Sequence, residues 1–158
     1  MQKEYFSYSE EETERIAKEL AANTDIGVTI ALHGNLGAGK TVFSRGFARG
    51  LGITEPISSP TFTIIQEYEF SEDKIFYHLD LYRITDSNAA LAFGLDEYLD
   101  DDNSIMLIEW SERIEDLLPK NTLHIFIIRK GDTEREIIVS SKYIDNLLNL
   151  EWIKWGML

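Results

Sequence analysis

The sequence predicts an α/β fold with a mixed parallel and antiparallel central sheet, and three observations lead there. Helix-like and strand-like segments alternate over residues 9–51, pairs of strand-like runs joined by short polar turns follow in the middle and at the end, and a glycine-rich loop stands between an early apolar strand and a helix. With 158 residues the chain has the length of one domain. It carries no solenoid repeat, low-complexity run or Pro/Gly/Ser linker, so residues 1–158 are expected to fold as one unit.

The elements follow in order. Ser9 followed by Glu12 has capping-box spacing, and Ile16, Ala17, Leu20 and Ala21 recur at helical intervals, which predicts an amphipathic helix over 9–22. Residues 28–32 (VTIAL) are short, apolar and β-branched, the pattern of a buried strand that stops at the glycines beyond it. Residues 40–51 (KTVFSRGFARGL) fit a helix closed by Gly52. Residues 61–70 and 74–81 read as a hairpin about the turn Ser71-Glu72-Asp73. Residues 86–99 alternate weakly between turn and helix, with Phe93, Leu95 and Leu99 as expected buried contacts. Residues 105–108 (IMLI) form a second short buried strand, residues 122–128 and 135–140 two more about Lys130-Gly131-Asp132, and residues 141–152 a terminal helix against which Trp152 and Trp155 are expected to pack.

Fifteen Lys and Arg against 28 Asp and Glu give a formal net charge of −13, spread over both halves of the chain. A field of that sign repels phosphate backbones, so autonomous nucleic-acid binding is disfavoured and any anion must be held by a local device. The absence of cysteine excludes disulfides, thiolate metal sites and thiol catalysis. No apolar run approaches membrane-spanning length and the N-terminus is not a signal peptide, so no membrane role is expected and the cytoplasm is the expected compartment.

The local device is legible. Residues 34–41 (GNLGAGKT) match G-x-x-x-x-G-K-[ST] in full, after a strand and before a helix as that loop requires. Backbone N–H groups of such a loop wrap a phosphate, and Gly37 and Gly39 supply the close approach and the positive φ that side chains would forbid. Lys40 is expected to reach the outer phosphates and Thr41 to place its hydroxyl on Mg²⁺, beside the positive end of the helix. Mg²⁺ wants a second hard oxygen ligand. Glu109, directly after Ile105–Ile108, has the hydrophobic-strand-then-acid arrangement of a metal-coordinating strand end, and otherwise reads as a solvated terminus. Period-2 alternation puts Phe76, His78 and Asp80 on one face of their strand, so that His78 and Asp80 are placed to face one cleft. The plainer reading pairs Asp80 with Arg83 and leaves His78 a hydrogen-bonded sheet residue.

Ser58-Ser59-Pro60-Thr61 lies where nucleotide hydrolases place a γ-phosphate-sensing segment, and equally fits a proline-set turn opening a strand. Trp110 reads first as core packing, and the acids between Asp96 and Asp102 as a solvated edge, since they lack calcium-loop spacing. No guanine-reading Asn/Thr-Lys-x-Asp motif follows the loop, which leaves ATP as the expected nucleotide, and no arginine-rich lid supports a kinase.

Together, GNLGAGKT, SSPTF at 58–62, HLDLYR at 78–83, FGLDEYL at 93–99 and IEW at 108–110 resemble the bacterial TsaE (YjeE) family over roughly residues 9–139. The resemblance implies a single-domain P-loop nucleotide hydrolase, a small ATPase that works with the TsaB and TsaD proteins in forming threonylcarbamoyl adenosine beside the anticodon and meets tRNA only through that complex. It places ATP contacts at Asn35, Leu36, Gly37, Ala38, Gly39, Lys40 and Thr41, with looser contacts near Ser9 and Glu10 and at Arg135. It places Mg²⁺ ligands at Thr41 and Glu109, the essential aspartate at Asp80 and the switch-like segment at Ser59, Pro60 and Thr61. Ser111 departs from the family's usual proline. In the expected chemistry Lys40, the loop amides and Mg²⁺ stabilise the transferring phosphoryl, Asp80 orients water, and Thr61 senses the phosphate. Two alternatives stay open: a small-molecule kinase on the same loop, and a nucleotide-gated binding module that hardly turns over.

Overall fold

The two shortest apolar runs become the centre of the molecule because they are buried on both faces. In the computed structural model, which describes residues 2–143, β2 (Thr29–His33) and β5 (Ser104–Glu109) are buried at every position. They sit in one seven-stranded sheet with β1 (Gln2–Ser7), β3 (Ile65–Ser71), β4 (Lys74–Asp80), β6 (Leu123–Arg129) and β7 (Arg135–Ser140), in the order β1-β7-β6-β2-β5-β4-β3. The inner four strands run parallel, and the β3/β4, β6/β7 and β1/β7 pairs are antiparallel. The expected mixed sheet is therefore present, with its parallel part where both faces are covered.

Helices α1 (Glu10–Ala22) and α2 (Lys40–Gly50) bury Ile16, Ala17, Phe43 and Phe47 against Ile30, Leu32, Phe76, Leu107 and Ile125 on one face. Ser9 caps α1, its Oγ accepting from the Glu12 N–H at 3.1 Å. The opposite face over β4 and β5 is covered by α3 (Ser87–Phe93), α4 (Leu95–Leu99) and a 3₁₀ segment, Ser111–Leu117, around Tyr77, Leu79, Met106, Ile108 and Ile114. Among the described residues no helix is long and apolar enough to cross a membrane.

Several expectations are corrected. Residues 61–64 are not the opening of β3 but a tight turn, closed by the Ile64 N–H donating to the Pro60 carbonyl at 2.7 Å. Phe93 is exposed while Leu95 is buried, because Gly94 at φ +97° ends α3 and redirects the chain between them. The N-terminal residues, read only for their lack of a leader, form β1 and pair with β7 from Gln2↔Ser140 to Ser7↔Arg135. The terminal helix expected over 141–152 falls, from 144 onward, outside the described residues, as do Trp152 and Trp155.

Candidate functional site

The parallel register brings three strand ends together. Leu32 lies beside Glu109, and Glu109 beside Asp80, so the carboxyl ends of β2, β5 and β4 open on one crevice, the place where α/β sheets hold ligands. The loop after β2 and the start of α2 form its floor. The crevice encloses about 810 Å³, within the range of small-molecule sites, and its walls include Gly37, Lys40, Thr41, Thr61, Asp80 and Glu109.

The loop conformation is the one its glycines allow. Gly37 stands at φ +82° and Gly39 at φ +106°, and no atom lies within 4 Å of where a Gly37 Cβ would be. It is the backbone conformation, not crowding, that requires glycine there. The turn is closed by the Ala38 N–H donating to the Asn35 carbonyl at 2.9 Å. Arg135, at the start of β7, reaches across to the loop: Nε donates to the Ala38 carbonyl at 2.7 Å and Nη2 to the Gly37 carbonyl at 3.4 Å. In a trans peptide the next N–H points opposite its carbonyl, so the Ala38 carbonyl held by Arg135 turns the Gly39 N–H the other way. Arg135 thus braces the loop as well as lining the crevice.

Glu109 is buried and divided between two partners. Its Oε2 lies 3.0 Å from His78 Nε2, and its Oε1 lies 3.8 Å from Lys40 Nζ. The Lys40 ammonium also stands 5.5 Å from the centre of the Trp110 ring. Trp110 holds φ +62°, edge-on against Tyr82; it packs against the core cluster over β4 and β5, as expected, and also lines the crevice. His78 is buried beneath Glu109 and does not line the crevice; only Asp80 does.

Asp80 does not pair with Arg83, whose guanidinium stacks over Phe62. Its Oδ2 accepts from the Thr61 hydroxyl at 3.0 Å and its Oδ1 from the Tyr82 N–H at 2.9 Å. Thr61 in turn is 2.8 Å from the Ser59 hydroxyl. The turn that presents Thr61 is held in a tense form: Ile64, a β-branched residue, stands at φ +69°, and its carbonyl accepts from the Asp80 N–H at 2.8 Å. Such a residue costs about 1–3 kcal/mol and persists where its surroundings impose it. Of the two readings of Ser58 to Thr61, the structure has the proline-set turn, and its threonine is fastened to the strand-end aspartate.

Ser9, Glu10, Leu36, Gly37, Ala38, Gly39, Lys40, Thr41 and Arg135 all line the crevice, and Asn35 is not among its lining residues. The sequence reading missed Thr13, Tyr82, Asp132 and Thr133, which also line it. Tyr82 was legible within HLDLYR, whereas Thr13 and the β6–β7 turn carry no local signal. Just below the loop, His33 at the end of β2 is hydrogen-bonded to His124 at 2.9 Å. Burial, with the neighbouring His124 and Lys40 charges, lowers its pKa to about 3.

Among the described residues no cluster of three or more His, Cys, Asp or Glu side chains forms a ready metal cage. The Thr41 hydroxyl and Glu109 carboxylate are instead the sparse hard-oxygen set that suits Mg²⁺, which keeps several waters and shares its sphere with phosphate. The donors fit that ion.

Known proteins agree with this architecture. The family model described as threonylcarbamoyl adenosine biosynthesis protein TsaE matches residues 7–137. A Bacillus subtilis protein named tRNA threonylcarbamoyladenosine biosynthesis protein TsaE is 50% identical over 127 residues, 80% of this chain and 78% of that one. The Haemophilus influenzae protein of the same name is 37% identical over 134 residues, 85% and 75% of the two chains. A crystal structure of Bacillus subtilis YdiB superposes with a TM-score of 0.75 at 39% identity, covering 99% of this chain and 95% of that one. A P-loop fold, a family match over most of the length and relatives at this identity lead to one conclusion: the chain belongs to the TsaE family of threonylcarbamoyl adenosine biosynthesis proteins.

Proposed function

We propose that the chain is a Mg²⁺-dependent ATPase that docks on the TsaB–TsaD complex and resets it during threonylcarbamoyladenosine modification of tRNA. The observation that carries the reading is the meeting, in one crevice, of the positive-φ glycine loop, Lys40 beside Glu109, and Asp80 fastened to Thr61. Thr41 and Glu109 would hold Mg²⁺, which when bound offsets phosphate charge as a Lewis acid. The loop N–H groups and the start of α2 hold the phosphates, and Lys40 leaves its loose contact with Glu109 for the outer ones. Asp80, its two oxygens already oriented by Thr61 and Tyr82, positions the attacking water.

Turnover by the isolated chain is slow in this reading. Arg135 is the sole guanidinium among the described residues lining the crevice, and it donates to the carbonyls of Ala38, Gly131 and Glu134. It is not available as an arginine finger, so docking supplies or orders the missing charge. The test is phosphate release from ATP by the chain alone and with TsaB and TsaD added, with Asp80→Ala as control. Release that rises with the partners and disappears in the variant supports the ATPase. No release under any condition replaces it with a nucleotide-gated binding module, or with a kinase whose acceptor was missing.

A further inference from the structure

His78 is 1% exposed, sits two residues before Asp80 on β4, and has no part in the chemistry proposed above. Its ring is fixed on the face it shares with Phe76, the two centroids 6.2 Å apart. One ring nitrogen, Nε2, lies 3.0 Å from Glu109 Oε2. The other, Nδ1, is buried without a hydrogen-bond partner among the described residues. A buried N–H without an acceptor is rarer in proteins than a buried acceptor without a donor, so the ring hydrogen belongs on Nε2, where the carboxylate accepts it.

We propose that His78 is a positioning residue for the divalent cation: its Nε2–H fixes the Glu109 carboxylate with Oε2 turned into the sheet and Oε1 presented to the crevice. This rests on the reading of Glu109 as a cation ligand. The geometry shows what the hydrogen bond prevents. Lys40 Nζ is 3.8 Å from Oε1, at the outer limit of an ion pair. Released from His78, the carboxylate is free to turn toward Lys40, which withdraws the cation ligand from the crevice while the ammonium keeps its place. Groups that hydrogen-bond a metal ligand from behind typically change metal affinity by about 10–100-fold when removed.

The experiment is titration of Mn²⁺ into the full chain with ADP present, followed by the electron paramagnetic resonance of free Mn²⁺, with ADP binding in EDTA and thermal unfolding as companion readouts. His78→Leu is expected to weaken Mn²⁺ by at least about tenfold while ADP binding in EDTA changes by less than about threefold. His78→Gln, whose amide nitrogen falls near the Nε2 position, is expected to restore most of the affinity. His78→Asn, whose amide nitrogen falls near Nδ1, is expected not to. Should the leucine variant fail to fold, the glutamine and asparagine pair decides alone. Wild-type Mn²⁺ affinity in a folded His78→Leu, or equal affinity in the glutamine and asparagine variants, overturns the inference. Failure of the underlying reading looks different: Glu109→Ala then binds Mn²⁺ as well as wild type does.

Discussion

At the scale of single residues, the crevice separates holding the nucleotide from acting on it, and the two respond differently to substitution. Lys40 is the ammonium within reach of Glu109 and the loop, and hydrogen bonds to charged groups are worth about 1.5–3 kcal/mol. Lys40→Ala is therefore expected to weaken ATP binding by roughly 10–150-fold, measured by titration calorimetry, and unchanged affinity overturns the phosphate role. Asp80 accepts from Thr61 and from the Tyr82 N–H. Asp80→Ala should cut phosphate release by about 100-fold or more with ATP affinity within a few-fold of wild type, the range for a lost proton-handling or water-orienting group. A third residue speaks to stability. His33 has its pKa lowered to about 3, so between that value and the ordinary 6.5 the unfolded chain binds a proton that the folded chain refuses. The sign follows: its linkage leaves stability untouched above pH 6.5 and erodes it as pH falls toward 3, by at most about 1.4 kcal/mol per pH unit. Urea unfolding at pH 7.5, 6.0 and 5.0 should show that loss, and His33→Gln should flatten it. His124, lowered chiefly by burial, adds in the same direction.

At the scale of elements, the site depends on how closely α1 lies against α2. A Cβ at Gly46 would stand 2.5 Å from the Glu14 carbonyl oxygen and 2.7 Å from the Glu14 Cα, both backbone atoms that cannot swing aside. Alanine in a helix interior is favoured over glycine by roughly 0.5–1 kcal/mol, but overpacking costs about 1–3 kcal/mol, so the clash wins. Gly46→Ala is expected to lower stability by about 1–2 kcal/mol in urea unfolding and, because α2 begins with Lys40 and Thr41, to weaken ATP binding as well. A stabilised variant would show that the helices part without cost. The same elements show what a reader of the sequence can and cannot see. Strands β2 and β5, buried on both faces, announce themselves as continuous apolar runs, and the loop between β2 and α2 as a motif. Strand β1 does not, because as an edge strand it buries Ser7 fully and Tyr5 only in part, and is held by backbone pairing to β7. The turn at Thr61 reads as strand in the sequence because Ile64 and Ile65 have strand-forming side chains, whereas the positive φ at Ile64 is imposed by Asp80 and Pro60 from outside the segment. Alternation placed Asp80 and His78 on one face of β4; it had no means of showing that Glu109 would cover His78.

At the scale of the whole molecule, charge sets the terms on which an anion can enter. The chain carries −13, and the charged residues lining the crevice are Glu10, Asp80, Glu109 and Asp132 against Lys40 and Arg135. Neither the global field nor the walls of the site attract ATP from a distance; the attraction begins only at the loop amides, the helix end and Lys40, at contact range. Long-range repulsion is screened by salt, with a Debye length of about 30 Å at 0.01 M falling to about 8 Å at 0.15 M, while close contacts inside the crevice are screened far less. The rate of nucleotide association should therefore rise with ionic strength over that interval, the reverse of a basic nucleotide-binding protein, with the dissociation rate changing little. Stopped-flow mixing with a fluorescent ATP analogue at fixed Mg²⁺ reads this directly. A rate that falls with salt would mean that Lys40, Arg135 and the helix end dominate the field at the entrance despite the four carboxylates. The crevice alone would then suffice to draw the nucleotide in, and a docking partner would not be needed to make its entrance attractive to an anion.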